Sequence, residues 1–229
     1  MTESSEAVVD ETRVSYLRQL DICPPDVLQF PITVIGAGAI GSAVVLAISK
    51  MGCQNITVFD HDTLEEHNVP NQICLAAEIG HSKVDALDAL TRQLCGYGLQ
   101  NARARKYVGQ PVEGVLVLAV DTMDTRLDIW NWVRGSRRKP DLLIDARMGA
   151  EVGRIHSAHL DSAIEMENYE KNLYPSSEAI ALPCSARSIV FCPITLGGIV
   201  AALIKRHAMD QPLPKDVMID MVNLNVMSF

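Results

Sequence analysis

The sequence predicts an α/β fold: a mostly parallel sheet with flanking helices and additional C-terminal strands. Three observations carry this expectation. Short, near-continuous apolar runs stand at Ile32–Ile35, Asn55–Phe59, Val115–Val120 and Leu142–Ile144, and such runs mark strands buried on both faces. Helical stretches at Ile40–Met51 and Ser82–Leu94 alternate with them, the order that yields parallel pairing. Between the first strand and the first helix lies the turn Gly36-Ala-Gly38-Ala-Ile-Gly41, where glycines serve a tight turn, a close backbone approach and strand–helix packing.

Each element has a local reason. In Ser82–Leu94, Val84, Leu87, Leu90 and Leu94 recur at a helical period. Ser82-x-x-Asp85 at its start reads as a capping box. Residues 151–158 read as extended. Residues 161–187 show no period and carry Pro175 and Pro183, so a long crossover-type loop is expected there. Ile194–His207 reads as a buried helix with two glycines for close packing, and Val222, Leu224 and Val226 alternate with Asn223 and Asn225 as a last strand. Residues 1–12 form an acidic, mobile N-terminus in this reading, and 13–229 a single domain.

Composition narrows the function classes. The chain has 229 residues, 48% hydrophobic and 21% charged, which is ordinary for a globular protein with a sizeable core. Twenty basic against twenty-eight acidic side chains give a net charge of −8, the opposite of what a non-specific nucleic-acid binder needs. No apolar run approaches the roughly 18 residues of a membrane span, and the N-terminus has no apolar signal core. Six scattered cysteines without a C-x-x-C pair fit a reduced, cytoplasmic protein.

The glycine turn is a candidate nucleotide site. A helix N-terminus offers unpaired N–H groups and a positive dipole end to a phosphate. Asp60, ending the second strand, can accept ribose hydroxyls. Up to this point an NAD-dependent oxidoreductase fits equally well.

Further motifs point elsewhere. Asp60-His-Asp62-Thr-x-x-x-x-Asn68-x-x-Asn71-Gln72, followed by Gly80-x-x-Lys83, closely resembles the MoeB/ThiF family, relatives of the ubiquitin-activating enzymes. Tyr16-Leu-Arg18-Gln19 is similar to the segment that opens those proteins, and Asp121-x-x-x-x-Arg126 is similar to their Asp-Asn-x-x-x-Arg motif. The resemblance runs from about residue 13 to 158 and resumes at Cys184–Lys205. It implies a Rossmann-like fold and an ATP- and Mg²⁺-dependent adenylyltransferase. Such an enzyme activates the C-terminal carboxylate of a ubiquitin-like protein, a sulfur-carrier protein or a peptide, and releases pyrophosphate. It also implies roles: Lys83 as a point charge for phosphate, Asp121 as the Mg²⁺ carboxylate, and Asp60 on the ribose. Gly36, Gly38 and Gly41 would line the phosphates together with Asn68 and Gln72. Arg18 would reach the ATP of a neighbouring subunit, which implies a homodimer. Asp62 reads as a turn residue.

The sequence departs from the family pattern in three ways. Asn71 stands where the family carries an arginine facing the phosphates. The two C-x-x-C pairs that hold structural zinc in many relatives are missing. Neither a separate cysteine domain nor a ubiquitin-fold domain follows the core. Cys184, in Pro183-Cys184-Ser-Ala-Arg187, has two readings: an acyl acceptor with a thiolate favoured by Arg187, or a small packing residue. Cys192, Cys53, Cys74 and Cys95 are assigned to packing. Two further classes stay open: a weak or inactive family member acting as a binding or assembly partner, and the NAD-dependent oxidoreductase.

Overall fold

The computed structural model describes residues 14–178 and 188–229. Eight strands form one sheet in the order β3-β2-β1-β4-β5-β6-β7-β8. These are β1 (Ile32–Ile35), β2 (Ile56–Asp60), β3 (Asn101–Ala104), β4 (Val115–Leu118), β5 (Leu142–Gly149), β6 (Val152–His159), β7 (Asp216–Asp220) and β8 (Asn225–Ser228). The first five pair in parallel, and β5 through β8 pair antiparallel. The helices are α1 (Ala39–Met51), α2 (Lys83–Cys95), α3 (Met123–Gly135), α4 (Ala163–Glu170) and α5 (Phe191–Ala208).

Alternation along the strands builds two apolar layers. Val34, Val58, Val117 and Ile144 face one layer, where Val44 and Ile48 of α1, Val84 and Leu87 of α2, and Val200 and Ile204 of α5 pack. Ile35, Phe59, Leu116 and Leu143 face the other, with Trp130 of α3 and Tyr169 of α4. Both faces of the parallel strands are therefore dry, which is why these strands read as unbroken apolar runs. Of the two glycines in α5, Gly197 does the close packing: a Cβ there would lie 2.7 Å from the carbonyl carbon of Ala43 in α1, whereas Gly198 faces open space.

Three elements differ from the sequence expectation. Within 161–187, Ala163–Glu170 is helical, with the Ser162 hydroxyl accepting the Glu165 N–H at its start. Its one buried residue is Tyr169, so an exposed helix leaves no apolar period to read. The expected strand over Val222–Val226 begins inside a turn. The Asp220 carboxylate accepts the N–H groups of Val222 and Asn223, and Leu224 has φ +53°. Asx turns of this kind override β-patterning. The chain thus makes a hairpin, β7 then β8, rather than one strand. β3 was not expected at all, because Asn101–Ala104 is polar and half-exposed at the sheet edge. Residues 1–12 and the Cys184 segment lie outside the described residues.

Candidate active site

The chain reverses direction across the sheet between β1 and β4, which lead to β2-β3 on one side and β5 on the other. Such a switch point at the strands' C-terminal ends is where open α/β sheets place ligands. The glycine turn sits there, and its three glycines do different work. Gly36 has φ +98°, and a Cβ on it would lie 2.5 Å from the carbonyl oxygen of Ala119, beyond β4. A Cβ on Gly41 would lie 1.8 Å from the carbonyl oxygen of Gly36. Both are demanded by the close approach of β1, α1 and β4. Among the described residues, a Cβ on Gly38 would meet nothing within 4 Å, and as the N-cap of α1 it receives no side-chain cap. The free space and the unsatisfied helix end coincide, which is the arrangement an anion requires.

Asp60 ties this turn to the next loop. Its Oδ2 accepts the Ala37 N–H at 2.6 Å and its Oδ1 accepts the Asp62 N–H at 2.8 Å. Asp62 in turn receives Lys83: Nζ donates to Oδ2 at 2.8 Å, and the Lys83 N–H donates to the Asp62 carbonyl at 3.0 Å. The Lys83 side chain is only 11% exposed although its partner is half-exposed. The hydrogen bond from Lys83 holds the Asp62 carboxyl below its ordinary range. The Ser82 hydroxyl accepts the Asp85 N–H and donates to the Asp85 carboxylate, so the serine half of the expected capping box fixes the start of α2. Asp62 is therefore more than a turn residue.

Asn68 closes a short turn, its Oδ1 accepting the Glu65 N–H at 3.0 Å, and the Gln72 N–H donates to the Asn68 carbonyl. The segment is pinned to the first turns of α1 by Ser42, whose buried hydroxyl accepts the Ile73 N–H at 2.9 Å. Sequence reasoning passed over Ser42. Its signal is a small hydroxyl immediately after the third glycine of the turn. Asn71 and Gln72 lie half-buried in the same segment.

Asp121 is exposed in the turn between β4 and α3. That turn is braced from below by Arg126, which is buried and donates to the Thr122 carbonyl, the Ala146 carbonyl and Asp145 Oδ1. Arg126 is thus a strut in the Asp121 motif and does not face the site. An exposed carboxylate fits the way Mg²⁺ is held through one or two carboxylates plus phosphate and water. Among the described residues, the group of three metal-competent side chains whose ligand atoms lie within 4.8 Å of one another is Asp60, His61 and Asp62. Two of those three are already engaged by Lys83 and by backbone N–H groups.

Arg18 does not join these residues within the chain. It is exposed on a 3-10 turn, Leu17–Gln19. The neighbouring Gln19 amide donates to the Met51 carbonyl at the C-terminal end of α1. Gly38 is at the other end of that 13-residue helix, about 20 Å away. Cys184 lies outside the described residues. Cys53 and Cys192 are fully buried; burial pushes the Cys53 thiol up to about 12 and raises the Cys192 thiol, so both are packing residues. Cys95 is buried as well, whereas Cys74 is only half-buried. An open groove of about 710 Å³ runs past Leu64, Glu66, His67 and Ile79, on the outer side of the 63–80 segment rather than over the glycine turn.

Sheet order and glycine turn together define a Rossmann-like α/β domain. More particularly, residues 25–134 match the ThiF family model, which makes this part of the chain similar to proteins of that family. Two curated relatives match parts of it. The tRNA threonylcarbamoyladenosine dehydratase 2 of Saccharomyces cerevisiae is 28% identical over 109 residues, covering 43% of this chain and 24% of that protein. The adenylyltransferase and sulfurtransferase MOCS3 of Arabidopsis thaliana is 36% identical over 70 residues, covering 30% of this chain and 15% of that protein. The chain thus spans about a quarter or less of either relative's length. Among solved structures, E. coli MccB with AMPCPP and MccA superposes with a TM-score of 0.67 at 16% identity, covering 90% of this chain and 65% of that one. At that identity the likeness shows a shared fold.

Proposed function

We propose that the protein is an ATP-dependent adenylyltransferase that activates the C-terminal carboxylate of a ubiquitin-like protein, a sulfur-carrier protein or a peptide. The observation that carries this reading is the continuous hydrogen-bonded chain from the glycine turn through Asp60 and Asp62 to Lys83. It links Asp60, the helix start after Gly38 and Lys83, which supports reading them as the ribose acceptor, the phosphate cradle and the phosphate cation of one site. A hydride-transfer enzyme gives Lys83 no task. The MccB complex with AMPCPP and MccA, and the adenylyltransferase name of the Arabidopsis relative, support ATP as the nucleotide and a peptide or sulfur carrier as the partner.

In this mechanism the substrate carboxylate attacks the α-phosphate of ATP, an acyl adenylate forms, and pyrophosphate leaves. Such transfers need positioning and charge neutralisation more than covalent help. The N–H groups at Gly38 and α1 hold phosphate oxygens. Lys83 neutralises the charge that builds on the leaving pyrophosphate. Asp60 fixes the ribose, while Asn68 and Gln72 border the phosphates. Asp121 would hold Mg²⁺, which supplies Lewis-acid polarisation of phosphate oxygens. Arg18, exposed near the far end of α1 from Gly38, serves the site of a second copy in a homodimer. In the acyl-acceptor reading of Cys184, its thiolate then displaces AMP from the acyl adenylate and holds the acyl group as a thioester.

Calorimetric titration with Mg-ATP, and separately with NAD and NADH, tests the reading. Mg-ATP alone should bind, and Lys83→Ala should bind it far more weakly. Binding of NAD(H) instead would overturn the assignment. Given a substrate peptide, Asp121→Ala should abolish pyrophosphate release while the circular dichroism spectrum stays unchanged. Cys184→Ala should release pyrophosphate normally and block transfer alone.

A further inference from the structure

We infer that Asp62 is a positioning residue that fixes the Lys83 ammonium for the nucleotide phosphates; this rests on the adenylation reading above. Lysine has a flexible four-carbon stem with several free rotamers, so an unrestrained Lys83 would lose that freedom on meeting a phosphate. Here the freedom is already gone. Nζ is held at 2.8 Å by Asp62 Oδ2, and the stem is nearly covered.

Asp62 is itself anchored on two sides. Its N–H donates to Asp60 Oδ1, and its carbonyl accepts the Lys83 N–H. The adjacent Thr63 forms an isolated antiparallel bridge with Ser82, the N-cap of α2. The loop after β2 and the start of α2 are therefore stitched together on both sides of the ion pair. Asp60, which reaches the glycine turn through Ala37, sets the position of Asp62, and Asp62 sets the position of Lys83.

One cost accompanies the lock. A carboxylate beside the phosphate cation repels the incoming triphosphate, so replacing Asp62 changes charge and positioning together. Two substitutions separate them. Asp62→Asn and Asp62→Ala both remove the charge, but asparagine keeps an oxygen that accepts from Lys83 Nζ. The test measures binding of Mg-ATP and of adenosine by calorimetry to the full chain and to both variants. Each variant is also made in a Lys83→Ala background.

The expected result is that Asp62→Asn binds Mg-ATP about tenfold more tightly than Asp62→Ala, the size of the rotamer freedom at stake. Both should bind adenosine equally, because adenosine reaches Asp60 and not Lys83. The tenfold difference should vanish when Lys83 is alanine, the signature of a coupled pair. Equal Mg-ATP affinities for the two variants, or a difference that persists without Lys83, would overturn the positioning role while leaving the adenylation reading in place. A parent protein that binds neither Mg-ATP nor adenosine would sink the reading itself, and the inference with it.

Discussion

Arg126 Nε donates to Asp145 Oδ1 at 2.9 Å, with the arginine side chain 4% and the aspartate 0% exposed. Arg147 donates from Nε to the other oxygen at 2.8 Å, and the Tyr169 hydroxyl joins it at 3.1 Å. Burial alone would raise the Asp145 pKa; the charges of Arg126 and Arg147 override it and keep the carboxylate ionised. Because Arg126 also holds the Thr122 carbonyl, this buried network fixes the turn that carries Asp121. Removing one partner strands two buried cations. Asp145→Ala is expected to lower stability by about 3–5 kcal/mol, read as a shift of the urea midpoint. A loss below about 1 kcal/mol would mean that water relieves the charges.

The site was legible where chemistry is written in local spacing. The glycine turn, Asp60 and Lys83 each lie at a strand or helix end that the apolar pattern locates, and the capping serine marks where α2 begins. What stayed hidden depends on long-range pairing. Asp62 reads as a turn residue because its partner lies 21 positions downstream. Asp145 ends an apolar run, and nothing local shows that Arg126 of α3 will meet it. Arg18 matches a motif, but only the packing of Gln19 against Met51 shows it to be remote from Gly38 in its own chain. In the fold itself, β3 and α4 were missed because exposed elements bury too little to leave a period.

Asn71 stands at the position where the family resemblance implies an arginine. The segment carrying it is held to α1 by the Ser42 hydroxyl, two residues further on, so a longer side chain at 71 starts close to the glycine turn. Removing one preorganised donor to developing charge typically costs about 2.7–4 kcal/mol. Asn71→Arg is therefore expected to raise pyrophosphate release about a hundredfold, measured with a substrate peptide at saturating ATP. An unchanged rate would show that the present site already supplies the missing charge from another residue.

His156 gives a pH dependence with a definite sign. It lies on β6 between Asp145 and Asp216 of the flanking strands, yet its Nε2 is buried without a hydrogen-bond partner. Burial first, and then the Arg147 charge, push its pKa down to about 4 from 6.5. The unfolded chain thus takes up a proton at higher pH than the folded one, so stability falls as pH drops from about 6.5 towards 4. Between pH 7 and 5 this group should remove about 2 kcal/mol. Urea titrations at the two pH values should show that loss in the parent chain and lack most of it in His156→Gln. An equal loss in both would place the proton uptake elsewhere.

Gly38 and Gly41 separate what the turn does for packing from what it does for a ligand. A methyl group on Gly41 would lie 1.8 Å from the Gly36 carbonyl oxygen. The oxygen is backbone and a Cβ has no rotamer by which to move aside, so the contact cannot be relieved without moving β1 or α1. Gly41→Ala should destabilise by more than the roughly 1–3 kcal/mol of ordinary overpacking. At Gly38 the backbone sits at φ −74° and a methyl meets nothing within 4 Å. Gly38→Ala should therefore melt within about 0.5 kcal/mol of the parent. That methyl would nonetheless occupy the space in front of the α1 N-terminus, where a phosphate has to come within hydrogen-bonding distance of the backbone. The expectation is a folded protein with sharply weaker Mg-ATP binding, seen by combining a thermal melt with calorimetry. If Gly38→Ala binds Mg-ATP as the parent does, the open space at this turn is not where the phosphates lie.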